Sequence, residues 1–149
     1  MVRKTRDVLE KSLNVRELRK LDKIGNPEVH EIIAKYVELC QPSSIFVVTD
    51  DPADWNYVRQ SAMRHHEEAP LKFKNHTVHF DAYEDQGRDK KNTAYLFDDP
   101  NYLEPELNQK SRKEGLDEVH NIMRGIMKGK ELYVCFFSLG PVDSEFAIP

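Results

Sequence analysis

A chain of 149 residues has the length of one ordinary domain, and folding removes about 68–70% of the surface such a chain would otherwise expose. Charged residues make up 32% and hydrophobic ones 39%, enough apolar material for a single core. A net charge of −4 and an isoelectric point near 5.9 argue against nucleic acid as a partner, and no apolar run approaches the roughly 20 residues of a membrane span, so no membrane partner is expected either.

Charge is uneven along the chain. Arg3, Lys4, Arg6, Lys11, Arg16, Arg19, Lys20 and Lys23 outnumber Asp7, Glu10, Glu17 and Asp22, so residues 1–25 carry +4 and the remainder −8. The two signs interleave at helical spacing around Val8, Leu9, Leu13, Leu18 and Leu21. This predicts a basic amphipathic segment over 1–25, one helix or two short ones with a solvated face. Residues 26–149 then form the main domain.

The next stretch, "GNPEVHEIIAKYVELCQP", carries helix signals at both ends. Asn26 is a capping residue, Pro27 suits the first helical position, and Gln41-Pro42 is a stop. Val29, Ile32, Ile33, Tyr36, Val37 and Cys40 recur at three- and four-residue steps and predict one buried stripe. "SIFVVTDD" follows as a buried strand, and Asp51-Pro52 starts a further helix through "HHEE". After Pro70, "LKFKNHTVHFDAY" reads as strand, with a hairpin around Lys74-Asn75. Beyond a polar loop come a short strand at Tyr95–Phe97 and a last helix from Ser111 to Met127. The buried side of that helix is read as Leu116, Val119, Ile122, Met123, Ile126 and Met127. Leu132 to Phe137 is read as a core strand. Alternating helices and strands of this kind point to an α/β domain. Cys40 and Cys135 lie far apart in apolar surroundings, which predicts two buried thiols in a reducing, cytoplasmic compartment and no disulfide or zinc site.

"GIMKGKELYVCFFSLGP", from Gly125 to Pro141, resembles a phosphate-binding loop at first sight. Such a loop needs two glycines with four residues between them, then Lys and a hydroxyl residue, between a strand and a helix. Here three residues separate Gly125 from Gly129, Glu131 follows Lys130, and helix precedes strand. Gly129 is instead expected to end the preceding helix. His65-His66 are adjacent on a helix and point in different directions. On a strand, His76 and His79 fall on opposite faces, so they cannot share a metal. His79 and Asp81 share a face, either as an acid–base couple or as a plain cross-strand polar surface. "DQGRDKKNT" gathers Arg88, Lys90 and Lys91 in a loop, either merely solvated or able to hold an anion.

Three stretches carry a resemblance to a known family: "NPEVHEIIAKYVELCQPSSIFVVTDD", "HTVHFDAYEDQGRDKKNT" and "IMKGKELYVCFFSLGPVDSEFAIP". Together they resemble the N-terminal region of GTP-dependent phosphoenolpyruvate carboxykinase, in its archaeal branch. The resemblance implies a mixed sheet with flanking helices, as in that enzyme's substrate-binding lobe. It also implies a reaction of oxaloacetate and GTP giving phosphoenolpyruvate, GDP and carbon dioxide. GTP, manganese and magnesium are implied for the full-length enzyme and none for this chain, because the family's nucleotide loop and metal ligands lie further along. The expectation is therefore a substrate-binding N-terminal part, inactive alone, with apolar surface exposed for association. Placing Thr77-Val78 on the family's "SKTV" phrase puts Lys72 where other members carry a carboxylate-gripping arginine. Arg88-Asp89 matches the family's "RD" phrase and gives Arg88 as the second substrate-binding residue. The alternative is a non-catalytic binding or regulatory module that associates with a separate catalytic chain.

Overall fold

The computed structural model describes residues 2–81, 89, 93–98, 107–141 and 144–146. The basic N-terminal segment forms two helices, α1 (Val2–Ser12) and α2 (Val15–Ile24). Asn14 separates them and caps α2 by accepting from the Glu17 amide, while Gly25, with φ of 63°, closes it. Leu9, Leu13 and Leu21 are buried in one cluster with Ile33, Ala34 and Val37 of α3 (Pro27–Cys40) and with Ile45 and Val47 of β1 (Ser44–Val47).

The ends of α3 match the sequence expectation. The Asn26 side chain accepts from the amides of Glu28 and Val29, and Gln41 adopts a left-handed conformation with φ of 55° just before Pro42. Its buried stripe is narrower than expected. Ile33, Ala34, Val37 and Cys40 are buried, but Ile32 is 56% exposed because it lies about 100° around the helix from Ile33.

β1 pairs in parallel with β6 (Glu131–Val134), Ser44 opposite Glu131 and Val47 opposite Val134. The period-two alternation sends Ile45, Val47, Leu132 and Val134 toward the leucine cluster. Phe46 and Tyr133 take the other face, where Tyr57 of α4 (Pro52–Arg64) stacks on Phe46 with ring centres 4.1 Å apart. The Tyr57 hydroxyl donates to Glu131 at 2.9 Å.

The chain divides into two compact units, residues 1–59 with 125–149, and residues 60–124. In the second, β2 (Ala69–Pro70) and β3 (Thr77–Val78) form an antiparallel hairpin whose turn falls at Lys74-Asn75, as expected. β4 (Tyr95–Phe97) pairs in parallel with β5 (Gln109–Ser111), which runs into α5 (Arg112–Met123). Ser111 caps that helix reciprocally: its hydroxyl accepts from the Glu114 amide and donates to the Glu114 carboxylate. The described residues thus combine helices with three two-stranded sheets instead of one mixed sheet.

Three sequence expectations need correction. The last helix stops at Met123, because Arg124 is extended and Gly125 left-handed. Its apolar side is not buried: Val119 is 48% and Ile122 65% exposed. The helix instead meets β4 through Gly115, whose missing side chain makes room for Leu96. Finally, β6 ends at Val134, where its four-residue partner ends, leaving Phe136, Phe137 and Cys135 exposed. No helix among the described residues is long and apolar enough to cross a membrane.

Candidate functional site

Lys72 sits in the six-residue connection of the β2–β3 hairpin, exposed to solvent. The loop is pinned by main-chain bonds, Leu71 N–H to His76 O at 3.0 Å and His76 N–H to Phe73 O at 3.2 Å. Asn75 supplies the left-handed residue with φ of 64°, a conformation asparagine tolerates better than most side chains. Lys72 is thus a solvent-facing cation on a short, tied turn. Arg88, Lys90 and Lys91 lie outside the described residues. Asp89, beside them, accepts through its carbonyl from both the amide and the hydroxyl of Thr93.

His79 and Asp81 do meet. His79 Nε2 is 2.8 Å from Asp81 Oδ1, and Nδ1 is 2.6 Å from the Glu67 carbonyl in the turn after α4. The bond to the Glu67 carbonyl, and then the one to Asp81, push the His79 pKa above the ordinary histidine value. His76 faces its own turn, with Nδ1 3.0 Å from the Lys74 carbonyl. His65 and His66 are exposed at the end of α4, where His66 takes a left-handed conformation. Among the described residues no three His, Cys, Asp or Glu side chains converge on a metal-sized space.

The stretch from Gly125 to Lys130 is engaged in a structural task. Gly125 N–H donates to Leu39 O and Met127 N–H to Cys40 O, so this turn satisfies the last carbonyls of α3. Lys128 and Lys130 N–H groups close further turns onto Gly125 and Met127. Four of the amides that a phosphate loop would aim at a nucleotide, those of Gly125, Met127, Lys128 and Lys130, are already bonded to carbonyls. This stretch does not fit a nucleotide phosphate.

A charged cluster escaped the sequence reading. Glu17 and Asp54 are only 2% and 1% exposed. Glu17 accepts from Val47 N–H at 2.7 Å, while Lys20 donates to Val47 O at 2.7 Å and to Asp54 at 2.9 Å. Thr49 donates to Asp54 through both amide and hydroxyl. Lys20 also lies 4.2 Å over the Phe46 ring. Burial pushes the Asp54 carboxyl up, but the bonds from Lys20 and Thr49 outweigh it and hold the group below its ordinary value. The signal was present in the spacing: Glu17 stands midway between Leu13 and Leu21 on the apolar stripe of the first helices.

Residues 31–149 match the family model of the phosphoenolpyruvate carboxykinase N-terminal domain. Among curated proteins, the chain is 51% identical to a phosphoenolpyruvate carboxykinase [GTP] of Thermococcus kodakarensis, over 95% of this chain and 22% of that protein. It is 48% identical to the Pyrococcus horikoshii protein of the same name, over 98% of this chain and 23% of the relative. With the Sulfurisphaera tokodaii protein the identity is 43%, over 87% and 21%. The chain thus spans about a fifth of the length of these relatives. By its match from residue 31 to residue 149 and by these archaeal relatives, the chain belongs to the GTP-dependent phosphoenolpyruvate carboxykinase family, through that family's N-terminal domain.

Proposed function

We propose that this chain is the substrate-binding N-terminal part of a cytoplasmic enzyme of gluconeogenesis, which converts oxaloacetate and GTP to phosphoenolpyruvate, GDP and carbon dioxide. The observation that carries the proposal is the family match over 31–149 together with identities of 43–51% to three relatives named for that activity. Lys72 on its tied hairpin turn, with Arg88, holds the carboxylate of oxaloacetate or phosphoenolpyruvate. A fixed cation there orients the substrate and favours the enolate charge that develops as carbon dioxide leaves. Lysine acts as a point charge, without the two-pronged grip of arginine.

GTP and the divalent metals are held by parts of the complete enzyme other than this chain. The engaged amides of Gly125, Met127, Lys128 and Lys130 support that assignment. Alone, the chain is inactive. An assay for GTP- and manganese-dependent decarboxylation is expected to show no turnover above the spontaneous rate, and robust turnover would overturn this. In a complete enzyme carrying this domain, Lys72→Ala or Arg88→Ala is expected to weaken phosphoenolpyruvate binding about 10- to 100-fold, the loss of a charged hydrogen bond. Unchanged affinity in both variants removes both residues from the site.

A further inference from the structure

Among the described residues the β2–β3 hairpin has a short ladder and exposed side chains. Its ladder is two rungs long, Ala69 with Val78 and Pro70 with Thr77, and both residues of β2 are exposed. In the loop, Leu71 and Phe73 are 46% and 75% exposed. A two-stranded hairpin without an apolar face is marginal in water, so polar contacts decide whether it stays closed. The turn end is closed by the Leu71–His76 and His76–Phe73 bonds. At the open end the register would bring residue 68 opposite residue 79, and there His79 bonds through its side chain to the Glu67 carbonyl and to Asp81.

Both of those partners are acceptors. A carbonyl oxygen cannot donate, and neither can an ionised carboxylate. A neutral imidazole carries one N–H and satisfies only one of them, whereas the imidazolium donates to both at once. We propose that His79 is a proton-operated latch: as imidazolium it ties the turn that follows α4 to the segment that follows β3 and holds the hairpin closed, and on losing its proton it releases one side.

The surrounding charges favour that assignment. Glu67 in the turn after α4 and Asp81 in the segment after β3 both stabilise the positive ring, and Glu68 adds negative charge beside Glu67. His65 and His66 precede them on the same helix end. Lys72, Lys74 and His76 occupy the turn, at the opposite end of the ladder from His79. The sign follows from the raised proton affinity: the latch is fully closed below the ordinary histidine pKa of about 6.5 and opens as pH rises through the higher value of the folded protein.

The test is an NMR titration of the chain from about pH 5 to about pH 9, spanning the histidine range. It follows the His79 ring and the amide protection of Leu71 and Val78, each corrected for intrinsic exchange and compared with Val47 in the core. His79 is expected to titrate above free histidine, and hairpin protection to fall several-fold across that same transition while Val47 stays constant. Asp81→Asn should lower the His79 transition, and His79→Gln should make hairpin protection independent of pH. Hairpin protection that does not change through the His79 transition, or a transition at or below the free value, overturns the latch. A consequence for ligand rests on the Lys72 assignment: phosphoenolpyruvate affinity should fall over the same pH range. A titrating hairpin with a flat ligand response would retire the Lys72 assignment and leave the latch standing.

Discussion

Glu17, Lys20 and Asp54 meet beside Val47, whose amide and carbonyl point away from β6 because Val48 N–H is the group that bonds to Val134 O. The helix side chains thus complete the hydrogen bonding of a strand edge that would otherwise be open. Removing one partner strands the others in a buried setting. Glu17→Ala leaves both the Val47 amide and Lys20 short of a partner, and urea unfolding should show a loss of about 3–5 kcal/mol, the usual cost of breaking a buried pair. Asp54 makes the pH dependence testable. Its carboxyl is held below the ordinary value, so its contribution is complete above about pH 4, the unfolded value, and is lost as pH falls through the lower folded value. Asp54→Asn should therefore destabilise the protein at neutral pH and flatten this part of the acid unfolding limb. An acid limb identical to wild type would remove Asp54 from the account.

Helix ends whose determinants are local were readable from the residues alone. Asn26, Pro27 and Gln41-Pro42 bound α3 as the sequence implies, and Ser111 with Glu114 starts α5. Asn26→Ala should cost about 1 kcal/mol in thermal or urea unfolding, because the amides of Glu28 and Val29 both lose their acceptor. The end of α5 was not readable, since it depends on a distant element: the carbonyls of Leu39 and Cys40 recruit Gly125 and Met127 into a turn. Gly129, expected as a helix stop, sits in that turn instead with φ of 75°. Gly129→Ala meets no atom within 4 Å, so its cost should be the backbone conformation alone, about 1 kcal/mol. The hairpin turn at Lys74-Asn75 was legible from its residue types, yet the His79 bridge to Glu67 joins positions 12 apart and no local pattern announces it.

At the scale of the whole molecule, the resemblance and the family match converge on one enzyme family, while the sheets are smaller than the resemblance implied. Lys72 was singled out by resemblance and stands on a solvent-facing turn; Arg88, singled out with it, lies outside the described residues. Apolar side chains remain exposed in each unit, Val119 and Ile122 on α5, and Phe137 and Leu139 after β6. Exposed apolar surface of this kind predicts association. Light scattering should show concentration-dependent oligomers that shrink in a Val119→Glu, Ile122→Glu variant, and a strictly monomeric wild type would contradict this.

The central claim is that this chain holds the substrate anion on its hairpin turn, and a titration of isotope-labelled protein with phosphoenolpyruvate tests it most directly. The account predicts saturable shifts of the amides of residues 71–78 that disappear in Lys72→Ala. Shifts confined to other parts of the chain, or hairpin shifts that persist unchanged in that variant, would contradict it.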